Sequence, residues 1–304
     1  MLLSRLAFIF EVYYPLDLFM IDFQSDTLKN QIQTWLSEDV GTGDYSSLAS
    51  IDSNAVANSV LILKDDGVVA GLQLAALVFS EIDASIEFDV LAEDGTYYSK
   101  GTILAKASGN AQSLLKGERL MLNLLQRLSG IATQTRVVVD LVKNTSVKLL
   151  DTRKTTPGLR ILEKWAVTMG GGYNHRIGLY DMIMLKDNHI DSSGGITTAV
   201  NKTKKYLAEN QLDLKIEVET RNLDEVNEAL TVGVDRIMLD NFTPSLCVEA
   251  VKIIAGQCET EASGGITLSN IKEYAESGVT YISLGYLTHS VKALDISFKT
   301  KLKN

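Results

Sequence analysis

The 304-residue chain contains only two cysteines, Cys247 and Cys258. That scarcity excludes a disulfide framework and a cysteine-rich zinc module, and the position of the two in or near a helical stretch suggests passive small apolar residues rather than nucleophiles. Only three prolines occur, so Pro-rich linkers are absent. The three histidines, His175, His189 and His289, form no HExxH or other ligand spacing, which argues against zinc. No apolar run reaches the roughly 20 residues that a bilayer span needs. Positive charge is also in deficit, with 29 Lys+Arg against 38 Asp+Glu and a net charge of −9. That balance argues against nucleic acid and membrane surfaces as partners. What is present, 45% hydrophobic and 22% charged residues, suits a folded globular protein of about two domains.

The first residues, MLLSRLAFIFEVYYPLDLFM, place Arg5 ahead of a short apolar run that Glu11, Pro15 and Asp17 interrupt. No small-x-small cleavage site follows, so the segment is not a secretory signal. Residues 1–22 read as an extension, with Met20 as a candidate true start, and the protein reads as cytoplasmic. Beyond it, helical spacing over 26–36 leads into a Gly41–Asp44 turn. Strand-like segments SVLILK, ASIEFDVL and GTILAKA, with one short helical stretch near 72–81, indicate an antiparallel α+β unit. A long helical pattern covers about 111–142. Strands then alternate with helices: VKLLDTR, MIMLK, KIEVE, RIMLD, ETEASGG and YISLG, with helices over 158–171, 195–209, 223–230, 244–255 and 268–277. This spacing means βαβ units and a parallel sheet, with mostly apolar strand interiors.

A doubly wound sheet and a β/α barrel both fit that alternation. Each strand's carboxyl end carries chemistry: Arg153-Lys154, Lys186, Glu219, Asp240, Ser263-Gly264-Gly265 and Gly285. Barrels draw functional residues from the ends of several strands, whereas a doubly wound sheet concentrates them at one switch point. Neither GxGxxG after the first strand nor GxxxxGK[ST] occurs. The expected fold class is therefore α/β, an incomplete barrel of about six strands over 121–289. An N-terminal α+β sandwich domain is expected over 23–120, with 290–304 joining it.

Charge is unevenly spread. Residues 116–189 hold twelve Lys/Arg and six Asp/Glu, a surplus of positive charge inside an acidic chain. Arg127, Arg136, Lys143 and Lys164 fall on helical stretches and read as solvated. Arg153, Lys154 and Lys186 end strands, where adjacent cations repel unless an anion sits there. Arginine recognises carboxylate or phosphate in bidentate fashion. Ser263-Gly264-Gly265 before a helix capped by Thr267 or Ser269, and Gly285 followed by Thr288 and His289, suit a phosphate at the last strands. Glu219 and Asp240 suit Mg²⁺, a hard ion that prefers oxygen ligands. His189 in KDNHI reads as a loop-orienting cap.

Several segments together resemble the quinolinate phosphoribosyltransferase family, the carboxylating nicotinate-nucleotide pyrophosphorylases of NAD biosynthesis. They are LSEDVGTGDYSS, GERLMLNLLQRLSGIAT, DTRKTTPGLRILEKWAVTMGGGYNHRIGLYDMIMLKDNHI, IEVE, IMLDNF, EASGGIT and ISLGYLTHSVKALDIS. They run in order over roughly residues 25–300. The resemblance implies a homodimer or higher assembly with active sites shared between subunits. It implies quinolinate binding by Arg153, His175, Arg176 and Lys186, with Arg119 supplied by the neighbouring subunit. It implies catalytic roles for Lys154, Glu219 and Asp240, the latter two near the ribose and Mg²⁺. Ser263, Gly264, Gly265, Gly285 and His289 would hold the 5′-phosphate. The implied substrates are quinolinate and phosphoribosyl diphosphate, and the products nicotinate mononucleotide, pyrophosphate and CO₂. A phosphoribosyltransferase acting on another pyridine acid, or a catalytically silent phosphate-binding barrel, would be the rival readings.

Overall fold

A computed structural model describes residues 21–303; the expected extension, with its candidate start at Met20, falls almost wholly outside them. The first half contains α1 (Asp26–Val40), α2 (Tyr45–Ser50), β1 (Val56–Leu63), β2 (Gly67–Val68), α3 (Leu72–Ile82), β3 (Glu87–Val90), β4 (Tyr97–Tyr98), β5 (Ile103–Asn110) and the long α4 (Ala111–Val142). The second contains β6 (Lys148–Leu150), α5 (Arg160–Met169), β7 (Ile183–Leu185), α6 (Asp187–Ser193), α7 (Ile196–Asn210), β8 (Ile216–Thr220) and α8 (Leu223–Val232). It continues through β9 (Arg236–Asp240), α9 (Pro244–Ile254), β10 (Glu259–Ser263), α10 (Ile271–Glu276), β11 (Tyr281–Ser283), α11 (Tyr286–His289) and β12 (Ile296–Leu302).

Four antiparallel strands in the order β12-β1-β5-β3 form the first sheet. Along β1 the burial alternates, turning Ala57, Ser59, Leu61 and Leu63 inward while their neighbours are less covered. The apolar faces of α3 and α4 pack near this sheet, and Phe79 of α3 stacks on Phe88 of β3 and Phe298 of β12. α4 opens on Asn110, whose side chain accepts from Ser113 N at 3.0 Å, and buries residues at three- and four-residue spacing from Leu114 to Val142. The boundary expected between residues 120 and 121 lies inside this helix.

Six parallel strands follow in the order β6-β11-β10-β9-β8-β7. The chain visits them in cyclic sequence, with the only break between β6 and β7. No reversal of direction occurs, so the sheet is an opened barrel and not a doubly wound one. The opening is narrowed by the segment after α5: Tyr173 makes one parallel bridge to Leu150.

The strands are shorter than the apolar runs suggested. VKLLDTR contributes only Lys148–Leu150, because Asp151 leaves the ladder to accept from Lys164 and from His175 N. The helix expected over 268–277 is confined to Ile271–Glu276, and neither Thr267 nor Ser269 caps it. Asn270 instead ties the preceding turn, accepting from Thr267 N and donating to Gly265 O.

Two further expectations are corrected. Lys164 is not solvated; it is wholly buried and donates to Asp151 and to His175 O. Arg127 pairs with buried Glu163 and donates to Thr156 Oγ1, and Arg136 donates to Gly170 O. The barrel strands are not mainly apolar inside either. Glu217, Arg236 and Glu261 are buried, and strand register places Arg236 opposite both Glu217 and Glu259. Alternation puts these charges on the barrel's inner face, leaving Ile216, Val218, Ile237, Leu239 and Ala262 for the helices outside.

Candidate active site

Side chains at period two continue the inner face upward, so Glu219, Asp240 and Ser263 stand one layer above Glu217, Met238 and Glu261. At this carboxyl-end rim Lys186 Nζ donates to Glu219 Oε2 at 2.7 Å. Asp240 lies beside them: burial pushes its carboxyl up, the negative charge of Glu219 adds to that, and Asn241 and Lys186 oppose it. His189 accepts from Lys186 N through Nδ1 at 3.0 Å, which makes it the loop-orienting cap that its sequence position suggested.

On the neighbouring strand end, Gly264 stands at φ +86°, a left-handed conformation that favours glycine. A side chain there would also overlap Asn241, whose Cγ would be 2.7 Å away. Next along the rim, Gly285 lies under Lys154: an added Cβ would meet Lys154 Cδ at 2.9 Å and the His289 ring at 3.2 Å. Lys154 is placed by Thr288, whose hydroxyl donates to the Lys154 carbonyl at 2.8 Å. The ring of His289 is exposed and shares a hydrogen bond with Ser290 Oγ at 2.6 Å. Because α10 starts well beyond Gly265, the Ser263-Gly264-Gly265 segment offers turn backbone and not the helix N-terminus expected there from sequence.

The gap between β6 and β7 holds the remaining cations. Arg153 follows β6, and Arg176 follows the Tyr173 bridge. Arg176 donates to Met182 O at 3.1 Å, and its guanidinium is lowered by burial and then by the positive charge of Arg153. Among the described residues no ion pair includes Arg119, Arg153, Lys154 or Arg176. Glu217 and Asp181 offset the lowering of Arg176 in part, but neither arginine is in an ion pair among the described residues, and two cations so placed suit an anion.

Beneath these arginines His175 is buried, with Nε2 at 3.1 Å from Glu217 and 3.3 Å from Glu261. Burial alone would lower its pKa, but Glu261 and Glu217 outweigh that and lift it to about 9. Its Nδ1 accepts from Arg176 N at 2.7 Å, which requires a free lone pair there. Nε2 carries a proton in both the neutral and the charged ring, and it faces the two carboxylates without a well-aligned hydrogen bond to either. Burial pushes the Glu217 carboxyl up, reinforced by Glu261. Glu261 moves down, because His175 and Arg236 offset its burial.

The structure therefore gathers Lys154, Arg153, Lys186, His175, Arg176, Glu219, Asp240, Ser263, Gly264, Gly265, Gly285 and His289 around one barrel mouth and the seam beside it. Arg119 is separate, exposed on α4 and sharing no hydrogen bond or ion pair with the others. The layer of buried Glu217, Arg236 and Glu261 with half-buried Glu259 does not figure in the sequence expectations. Its signal was present as charges at alternate positions in KIEVE, RIMLD and ETEAS. Asn241 was also overlooked, although Asn is one of the few residues that tolerate left-handed backbone. Cys247 is buried and pushed up to about 11, so it holds no thiolate for nucleophilic chemistry.

Two family models cover most of the chain. The quinolinate phosphoribosyl transferase N-terminal domain matches residues 44–129 and the C-terminal domain residues 131–299. The chloroplastic carboxylating nicotinate-nucleotide pyrophosphorylase of Oryza sativa subsp. japonica is 47% identical over 288 residues, covering 90% of this chain and 77% of that protein. The probable carboxylating nicotinate-nucleotide pyrophosphorylase of Bacillus subtilis (strain 168) is 45% identical over 277 residues, covering 91% of this chain and 94% of that protein. The crystal structure of NadC from Streptococcus pyogenes superposes with a TM-score of 0.87 at 40% identity, covering 91% of this chain and 98% of that one. With both domains matched in order and relatives this similar over about nine-tenths of this chain, the chain belongs to the quinolinate phosphoribosyltransferase family.

Proposed function

We propose that this chain transfers the phosphoribosyl group of phosphoribosyl diphosphate to quinolinate, with loss of CO₂, giving nicotinate mononucleotide and pyrophosphate for NAD biosynthesis. The observation that carries this reading is the pair Arg153 and Arg176 at the barrel seam, near enough to repel and neither in an ion pair among the described residues. Quinolinate brings two carboxylates, and together with Lys186 these arginines match that charge. His175 fixes the seam from below; to bind substrate directly it must give up its contact with Arg176 N or turn Nε2 away from the two carboxylates. Lys154, Gly285 and His289 form the adjoining wall for the phosphorylated sugar, and Ser263-Gly264-Gly265 the turn for its 5′-phosphate.

The chemistry then needs little from protein nucleophiles. The ring nitrogen bonds to C1 of the sugar while the C1–O bond breaks and its electron pair leaves with pyrophosphate. Glu219 and Asp240 stabilise positive charge gathering on the ribose. The carboxylate beside the new pyridinium nitrogen departs as CO₂, and the cationic ring takes up the electrons. Holding the two substrates in line supplies much of the rate.

The two rim carboxylates also suit Mg²⁺. Glu219 raises the Asp240 carboxyl, a repulsion between hard oxygen ligands that a divalent cation relieves. When bound, such an ion neutralises charge on the diphosphate leaving group. Arg119 is exposed on α4 and apart from the barrel mouth of its own chain, which supports its serving a second copy's site, and we read the functional unit as a homodimer or higher. A cytoplasmic location completes this reading, supported by the two free cysteines. No described helix is long and apolar enough to cross a membrane.

The direct test incubates the protein with quinolinate, phosphoribosyl diphosphate and Mg²⁺ and follows nicotinate mononucleotide and CO₂. Turnover with another pyridine acid but none with quinolinate would overturn the assignment. The shared site is tested by mixing inactive Arg119→Ala and Arg153→Ala proteins under subunit-exchange conditions. Partial recovery of activity is expected, and no recovery counts against a site built from two copies.

A further inference from the structure

Among the described residues, three that are not glycine adopt positive φ: Gln211, Asn241 and Ala255. Gln211 and Ala255 end α7 and α9, where left-handed backbone is an ordinary way to finish a helix. Asn241 ends no helix. It is the first residue after β9, at φ +55°, directly beside Asp240 on the barrel rim. This unusual backbone lets one residue touch two neighbouring strand ends. Its Nδ2 donates to Asp240 Oδ2 at 2.7 Å. Its backbone N donates to Ser263 O at 2.8 Å. Its carboxamide occupies the space that a side chain on Gly264 would need.

We propose that Asn241 is a positioning residue, coupling the Asp240 carboxylate to the Ser263-Gly264-Gly265 turn so that the sugar hydroxyls and the 5′-phosphate are gripped at a fixed spacing. The strand register already sets Asp240 opposite Ser263. Register alone leaves the Asp240 side chain free to rotate and the glycine turn free to sag. Asn241 removes both freedoms with a single amide, one end on the carboxylate and the other over the glycine. The coupling rests on the reading of Asp240 and the glycine turn given above, and concerns phosphoribosyl diphosphate rather than the pyridine acid.

The test is a double-variant cycle in steady-state kinetics, with phosphoribosyl diphosphate and quinolinate varied separately. Asn241→Gly keeps the left-handed backbone accessible and removes the amide. Asn241→Asp keeps the size but sets a second carboxylate against Asp240. We expect Asn241→Gly to raise KM for phosphoribosyl diphosphate about tenfold, the scale of one lost hydrogen bond to a charged group. KM for quinolinate should change less than threefold. Asn241→Asp should lower kcat as well. Asp240→Ala provides the reference: if Asn241 acts in part through Asp240, the Asp240→Ala, Asn241→Gly double variant loses less than the product of the two single losses. Fully multiplicative losses, equal effects on both substrates, or an unchanged Asn241→Gly enzyme beside an impaired Asp240→Ala enzyme would overturn the coupling. An Asp240→Ala enzyme with normal kinetics would instead overturn the role assigned to Asp240, and the coupling with it. A melting temperature near that of the wild type for Asn241→Gly separates the effect from misfolding.

Discussion

Lys164→Met provides a demanding check on the architecture beneath the site. The Lys164 ammonium and the Asp151 carboxylate are both wholly buried and hydrogen-bonded to one another. Burial pushes Asp151 up and Lys164 down, so each charge depends on the other for its presence in the core. Without the ammonium, Asp151 retains two donors, His175 N at 2.9 Å and Asn174 Nδ2 at 2.5 Å. Removing one partner of a buried pair costs about 3–5 kcal/mol. Proton uptake by Asp151 sets a ceiling. From its ordinary value of 3.8, holding the carboxyl neutral at pH 7 costs about 4 kcal/mol, at about 1.36 kcal/mol per pH unit. For a chain of this size that corresponds to a fall in Tm on the order of 10 °C. The sign of the pH dependence follows from the same carboxyl. Raised in the folded variant, it favours folding at low pH and withdraws that stability as pH climbs from its ordinary value toward its folded one. Moving from pH 7 to 5.5 should therefore restore about 2 kcal/mol relative to wild type at each pH. Melting curves of wild type, Lys164→Met and the Asp151→Asn, Lys164→Met double variant supply the measurement, and the double variant should recover most of the loss. A single-variant loss under about 1 kcal/mol, or one that does not shrink on acidification, would refute the buried-pair argument.

Two further outcomes follow from the rim. Gly285→Ala should leave Tm nearly unchanged, because the added methyl meets the flexible Lys154 side chain and the exposed His289 ring. It should raise KM for phosphoribosyl diphosphate about tenfold or more through misplaced contacts, and unaltered kinetics would remove these residues from the site. Arg153→Ala should raise KM for quinolinate about 10- to 100-fold, the range for lost charge-assisted hydrogen bonds. Since Arg153 repels Arg176, its removal should leave the protein at least as stable as before; a lower Tm would mean a structural partner instead of an anion.

The barrel was legible in the sequence because strand and helix periods alternate and each strand carries its polar residue at the same end. The rim residues Lys186, Glu219, Asp240 and Ser263 stood out for that reason. Lys164 did not, because the helical spacing around it looks the same whether a lysine faces water or a carboxylate held by a distant loop. Asp151 and Lys164 meet only after Asp151 leaves β6, and no local pattern reports that departure. The interior charges were misjudged for a related reason. A run such as KIEVE reads as half-polar until its neighbours' registers bring Arg236 between Glu217 and Glu259, where it pairs with Glu259 and Glu261. The helix expected after Gly265 failed because Asn270 uses its side chain to close a turn first.

The order of the first sheet bears on how the chain is synthesised. One edge of β1 is covered by β5, its near neighbour in sequence, but the other is covered by β12 at the far end of the chain. Ser59 and Thr300, whose hydroxyls meet at 2.8 Å across that edge, are 241 positions apart. At about 5–20 residues per second, a ribosome needs roughly 10–50 s to bridge that interval. Throughout it, β1 presents an uncovered row of backbone donors and acceptors, the kind of edge to which a stray strand can add. The whole barrel emerges during this wait and can fold behind it. β12 seals the first sheet only after every barrel strand has been made, so a nascent chain cut short before Ile296 has a barrel but an open edge. The sheet that is begun first is thus closed after the one begun second.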